Sequence, residues 1–269
     1  MKTTPSISDF DLVIFDWAGT MVDFGCLAPV QALKAAFVRQ GVTLEDEAAR
    51  ADMGKAKDAH VRALLDRSDV ASAWVAARGA APVETDVARI MADLGPLMRD
   101  AAEAAALLIP GALDCVQAFQ RAGLQVASST GYTREMMGPV LTRAAAQGYN
   151  PEAVACAGET PEGRPSPLMI YKTCADLGVW PLSRVIKVDD AEAGVAEGRA
   201  AGCFTIGLAA SGNGLGLSLE DYQALPEPER QQRLAPVREA LLAAGADRVI
   251  DTVADLPALF GLSGNLQSG

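Results

Sequence analysis

The chain has 269 residues, 50% of them hydrophobic and 21% charged. That suits one large domain, or a domain carrying an insert, and excludes low-complexity and collagen-like chains. The formal net charge of −11 gives no general attraction for phosphate backbones or anionic lipid, so nucleic-acid and membrane-surface roles are excluded as first expectations and an anionic ligand needs a local positive site.

Met1 to Asp11 is polar and lacks the apolar centre of a signal peptide. No apolar run is long enough to span a bilayer. Leu12-Val13-Ile14-Phe15 is a continuous apolar run closed by Asp16, the pattern of a parallel strand buried on both faces. From Leu27 to Leu107 no strand pattern occurs; Leu27, Val30, Leu33 and Phe37 recur at helical spacing, and later stretches are rich in helix formers. A helical cap over residues 27–107 is therefore expected, with Gly25 and Ile109-Pro110-Gly111 as hinges. Apolar runs return at Leu124–Ser128, Ala153–Cys156, Val185–Val188 and Phe204–Leu208, and more weakly at Arg248–Ile250. Helical patterns such as Pro167–Leu177 and Ala191–Ala201 lie between them. Such alternation predicts an α/β fold with a doubly wound parallel sheet, built from residues 1–26 and 108–260. Residues 261–269 are expected to be a flexible tail. The five cysteines are odd in number and contain no CxxC pair, which fits reduced thiols in a cytoplasm.

In open parallel sheets, ligands bind beyond the carboxyl ends of the strands. Asp16 follows the first strand there, and Asp189-Asp190 follows the run Ile186-Lys187-Val188. Strand-end carboxylates meeting in one crevice suit a hard cation such as magnesium. Ser128-Ser129-Thr130-Gly131-Tyr132 ends the second strand and offers hydroxyls and free N–H groups to an anion. Arg164, in Gly163-Arg164-Pro165, can grip two phosphoryl oxygens.

This order resembles the haloacid dehalogenase superfamily: an aspartate, then a hydroxyl after the second strand, then a basic residue, then paired acids. The resemblance extends over nearly the whole chain and includes a helical cap inserted after the first motif. It implies that Asp16 attacks phosphorus, giving an aspartyl-phosphate that water cleaves. It also implies a Mg2+ ion held by Asp16, the carbonyl of Ala18, and Asp190, with Thr130, Gly131 and Arg164 around the phosphoryl group. A common pattern of the superfamily has another acid four residues after Asp190, where this chain has Gly194; Asp189 or Glu192 then takes that role, or the metal site is simpler.

Phosphatases of the superfamily carry Asp-x-Asp, whose second acid protonates the leaving alkoxide. Here that position is Ala18, and general-acid help is worth about 10²–10⁴-fold. A carbon leaving group beside an aldehyde removes the difficulty. An amine condensed with the aldehyde accepts the electrons of the breaking P–C bond, so the chemistry calls for a lysine with a lowered pKa. Met53-Gly54-Lys55-Ala56-Lys57-Asp58-Ala59-His60-Val61-Arg62 supplies one. On a helix Lys57 shares a face with His60, the sole histidine, and with Met53. His60 can there accept or relay a proton. Lys55 is the rival amine.

Asp-Trp-Ala-Gly-Thr, Met-Gly-x-x-Lys-x-x-His-x-Arg, Thr-Gly-Tyr-Thr-Arg-Glu-Met-Met and Gly-Arg-Pro, in that order, resemble the phosphonoacetaldehyde hydrolase (phosphonatase) family within the superfamily. The resemblance implies that Lys57 forms a Schiff base, that Cys26, Met53, His60 and Tyr132 support it, and that the protein is a homodimer joined through the caps. The alternatives are a magnesium-dependent phosphatase or phosphomutase of the same superfamily, and a non-catalytic phosphometabolite-binding regulator.

Overall fold

Six short strands form one parallel sheet: β1 (Leu12–Phe15), β2 (Gln125–Thr133), β3 (Ala153–Ala157), β4 (Val185–Asp189), β5 (Phe204–Leu208) and β6 (Arg248–Ile250), in the order β3-β2-β1-β4-β5-β6. This computed structural model describes residues 5–53, 55 and 57–262. Most of the expected tail, 263–269, lies outside the described residues, as do Gly54 and Ala56 of the Lys57 motif.

Every residue of β1 is fully buried. It lies between β2 and β4, with Phe15 opposite Ser128 on one side and Val188 on the other. This register aligns the carboxyl ends of the three strands. Asp16, Ser129 to Gly131, and Asp189-Asp190 therefore emerge at one edge, where the strand order reverses direction and a crevice must open. The indole of Trp17 donates to Ser128 Oγ at 2.8 Å and fixes the turn out of β1.

Between β1 and β2 the chain is helical: α1 (Leu27–Arg39), α2 (Asp46–Arg50), α3 (Lys57–Asp66), α4 (Ser68–Arg78) and α5 (Glu84–Ala105). No strand occurs in this insert among the described residues. α1 packs along α5, burying Leu33, Phe37, Ile90 and Leu94, with Trp74 of α4 and Leu64 of α3 in the same core. The remaining helices accompany the sheet: α6 (Ala112–Arg121), α7 (Arg134–Ala146), α8 (Leu168–Leu177), α9 (Glu192–Ala201), α10 (Leu219–Ala224), α11 (Glu227–Ala243) and α12 (Leu256–Leu259).

The two connections to the insert run side by side. Val22 and Leu108 form an antiparallel bridge, and Ile109 N–H donates to Met21 O at 2.9 Å. Before α1 the chain turns through left-handed conformations at Asp23 (φ 56°), Gly25 (φ 89°) and Cys26 (φ 50°). The Asp23 carboxylate accepts from the N–H groups of Leu27 at 3.1 Å and Ala28 at 3.0 Å, satisfying donors that the first turn of α1 leaves open.

The expected strands all occur, but β2 continues to Thr133, beyond its apolar run. The added residues are polar yet buried at Ser129 and Thr130, because their partners lie inside the site.

Candidate active site

The Asp16 carboxylate is buried beside the guanidinium of Arg164, Oδ1 to Nη1 being 2.8 Å. Burial raises its pKa, and the charge of Asp189 acts in the same direction; Arg164 and Lys187 oppose them. Asp190 is pushed well above the usual carboxylate range, first by burial and then by Asp16 and Asp189. Its Oδ1 accepts from Thr20 Oγ1 at 3.1 Å and its Oδ2 from Asn213 N–H at 2.8 Å. Gly19 (φ 83°) lies so close that a Cβ there would stand 2.5 Å from Asp190 Oδ2.

Asp16, Asp189 and Asp190 bring carboxylate oxygens within 4.8 Å of one another. Three buried carboxylates repel, and two of them are held toward their neutral forms. A hard divalent cation relieves both effects, and an all-oxygen donor set is what such an ion takes. The residues present therefore fit a metal.

The absence of a side chain at Gly194 leaves room for Asp189. A Cβ at Gly194 would fall 2.0 Å from Asp189 Oδ2. The Asp189 carboxylate thus fills the space over the first turn of α9 and joins the cluster, whereas Glu192 is exposed.

Arg164 is held on several sides. Nε meets Glu197 Oε2 at 2.9 Å, and Nη2 meets Ser129 O at 2.8 Å, Ser129 Oγ at 3.0 Å and Asp189 Oδ2 at 3.4 Å. Lys187 Nζ joins the same network, 2.9 Å from Asp189 Oδ2 and 3.0 Å from Ser129 Oγ. Lys187 and Glu197 are fully buried, so each needs an opposite charge. Together they fix the plane of the guanidinium that borders Asp16. Sequence reasoning missed this pair. The available signal was a lysine inside a strand whose neighbours are buried on both faces, a position that demands a partner.

The serine hydroxyls are spent elsewhere than expected. Ser128 holds Trp17 and Ser129 belongs to the Arg164 network, leaving the stretch from Thr130 to Tyr132 for an anion. The β2–β3 ladder breaks between Thr130 and Thr133. Thr130 Oγ1 accepts from Tyr132 N–H at 3.2 Å.

A small cavity joins these groups to the insert. The core contributes Asp16, Ala18, Thr130, Gly131, Tyr132, Arg164 and Asp190, and the other wall holds Cys26, Met53, Lys55 and Lys57. Lys57, the first residue of α3, is buried with Nζ 3.4 Å from Met53 Sδ. Burial lowers its pKa and Arg164 adds to the effect, while Cys26 and Asp16 oppose it. Lys55 pairs with Asp52 and is half exposed. Burial raises the pKa values of Cys26 and Tyr132, so both stay protonated.

One expectation needs correction. Met53 does not share a helical face with Lys57, because α3 begins at Lys57; the contact is made from the turn that follows α2. His60 is fully buried and is not among the residues lining the cavity. Burial, then the charge of Lys57, lowers its pKa to about 3. With that pKa the imidazole is neutral where the Lys57 amine would react.

Residues 10–202 match the family model described as haloacid dehalogenase-like hydrolase. The phosphonoacetaldehyde hydrolase of Paraburkholderia phytofirmans is 43% identical over 258 residues, 96% of this chain and 97% of that protein. The phosphonoacetaldehyde hydrolase of Bacillus cereus is 37% identical, covering 91% of this chain and 93% of its own. A solved structure described as a phosphonoacetaldehyde hydrolase-like protein from Oleispira antarctica superposes with a TM-score of 0.92 at 37% identity, over 97% of this chain and 95% of that one. With its parallel sheet, its helical insert and the motif residues gathered in one cavity, this chain belongs to the phosphonoacetaldehyde hydrolase family of haloacid dehalogenase-like hydrolases.

Proposed function

We propose that the protein hydrolyses phosphonoacetaldehyde to acetaldehyde and phosphate. The observation that carries this reading is a buried lysine of lowered pKa facing a carboxylate across one small cavity, with Ala18 where an ester-cleaving acid would stand. The helical insert acts as a cap, and its closure over the crevice excludes bulk water. The Lys57 amine adds to the aldehyde carbon and loses water, giving a protonated imine. Arg164 and the backbone about Thr130 and Gly131 hold the phosphonate oxygens. Asp16 attacks phosphorus, the P–C bond breaks, and its electron pair moves into the iminium to leave a neutral enamine on Lys57. Water then displaces phosphate from Asp16. The enamine takes a proton at carbon, and hydrolysis of the resulting imine frees acetaldehyde and the amine. Asp16, the carbonyl of Ala18 and Asp190 would hold a Mg2+ ion, which supplies charge neutralisation at the phosphoryl oxygens. The test is incubation with phosphonoacetaldehyde and Mg2+, with acetaldehyde followed through a coupled dehydrogenase. Equal acetaldehyde and phosphate are expected, and chelation should stop both. Phosphate from simple esters with no acetaldehyde from the phosphonate would place the protein among ester phosphatases.

The assembly proposed is a homodimer joined through the caps. The exposed Val38 of α1 and Val75 of α4 support it, being apolar on the outside of the insert. Sedimentation should give twice the chain mass, and Val38→Glu with Val75→Glu should give monomers. The five free cysteines suit a reducing cytoplasm, which is the compartment proposed. No helix among the described residues is long and apolar enough to cross a membrane.

A further inference from the structure

Arg50, at the end of α2, does not line the cavity of the proposed reaction. Its guanidinium nonetheless reaches out of the insert to the sheet domain. Nη1 donates to Gly25 O at 3.0 Å and to Asn213 Oδ1 at 3.1 Å, and Nη2 donates to Gly216 O at 3.2 Å. Asn213 answers through its amide, Nδ2 donating to Arg50 O at 3.2 Å. The backbone N–H of the same Asn213 donates to Asp190 Oδ2 at 2.8 Å. Two steps of hydrogen bonding therefore link the insert to a carboxylate of the acidic cluster.

The loop between them is built to lie flush on both ends. A Cβ at Gly212 would stand 2.2 Å from Asp190 Cβ, and one at Gly216 would stand 2.7 Å from Arg50 Cζ. Gly212, Gly214 and Gly216 alternate along it, so apart from one internal bond, Gly216 N–H to Gly212 O at 3.1 Å, its shape depends on its anchors. One anchor is Asp190 and another is Arg50. Gly25 N–H also bonds Ser211 O at 2.7 Å, tying the loop to the first connection to the insert.

We propose that Arg50 is a positioning residue that couples the seating of the insert to the orientation of Asp190. With the insert in place, Arg50 grips Asn213 and presents its N–H to Asp190. With the insert withdrawn, the glycine loop loses that grip and Asp190 loses a fixed donor. The phosphoryl site is then fully assembled only beneath a closed insert. The proposal rests on the hydrolytic reading of the site for its catalytic readout alone.

The test uses Arg50→Ala, Arg50→Lys and Asn213→Ala in the full chain. Neither alanine variant removes the N–H that Asp190 accepts. Three quantities are read: binding of Mg2+ alone by calorimetry, the rate of Cys26 alkylation by iodoacetamide without substrate, and kcat and KM for phosphonoacetaldehyde. Cys26 lines the cavity and is 4% exposed, so its alkylation reports opening. Each alanine variant should weaken Mg2+ binding and lower kcat by about 10-fold, a typical size for coupling through a packed link. Each should also speed alkylation by about 10-fold, and Arg50→Lys should recover part of every effect. The double variant should be no worse than either single, because both cut one link. Faster alkylation with Mg2+ affinity and kcat unchanged would overturn the proposal, showing a strap that holds the insert without orienting Asp190. Effects that multiply in the double variant would overturn it as well. A protein that binds Mg2+ but leaves phosphonoacetaldehyde intact would refute the hydrolytic reading, and the metal and thiol measurements would still decide the role of Arg50.

Discussion

Lys57→Ala is expected to lower kcat for phosphonoacetaldehyde by about 10⁴-fold or more, since without the imine the breaking P–C bond has nowhere to place its electrons. Lys55 also borders the cavity, but it is half exposed and paired with Asp52, so it is not expected to replace the buried amine. Lys57→Arg should be equally inactive, because it keeps a positive charge and lacks a nucleophilic amine. Borohydride added during turnover should leave an ethyl group on residue 57, read by peptide mass; turnover with that peptide unmodified would remove the imine from the scheme. Lys57 has its pKa lowered mainly by burial, so kcat/KM should rise with pH through that depressed value and level off below the ordinary lysine range. Between the two values the unfolded chain binds a proton that the folded chain does not, so this group makes stability increase with pH. Lys57→Met removes the buried amine and should raise Tm by about 2–4 °C while abolishing turnover, the exchange of activity for stability expected where a group is buried for chemistry.

Asp16→Asn should lower product formation by about 10⁴-fold or more, because an amide oxygen is a poor nucleophile toward phosphorus. The substitution is nearly isosteric and leaves Arg164 its contacts with Glu197, Ser129 and Asp189, so the fold should survive. The two variants separate the halves of the reaction. Asp16→Asn should still form the imine, trapped by borohydride on Lys57, with no phosphate released. Lys57→Ala should form no imine, yet keep an intact nucleophile. Rapid acid quench followed by mass measurement should find phosphate on the peptide of residue 16 in the native protein and none in Asp16→Asn. Normal turnover in Asp16→Asn would exclude covalent catalysis by this carboxylate.

The strands were legible because a strand buried on both faces reads as a nearly continuous apolar run: Leu12–Phe15 is one, and Phe204–Leu208 is broken only by Thr205. The same logic stops at Ser128, where β2 does not: from there the strand is held by Trp17, Arg164 and Lys187 rather than by apolar packing. Asp16, Lys57, Thr130, Arg164 and Asp190, which the structure gathers around one cavity, could be singled out in the sequence by strand-end position or by motif spacing. The groups that hold them were not. Lys187 sits inside an otherwise apolar strand and Glu197 inside an ordinary helical pattern, and only the packing of α9 on the sheet brings Glu197 to both Lys187 and Arg164. Arg50 and Asn213 lie far apart in sequence, and no local spacing announces that they meet. Helical periodicity puts Met53 on the face of Lys57, and the turn before α3 reaches the same neighbour by another path.

Asp189 and Gly194 compete for a single volume, since even a methyl group at 194 would overlap the Asp189 carboxylate. Bulk is tolerated at one position or the other, never at both. Substitution at 194 is thus barred until 189 has given up its side chain, and surrendering that side chain first opens a void among buried charges. The order of exchange is constrained in both directions, so the two positions of this corner can be redesigned only as a pair.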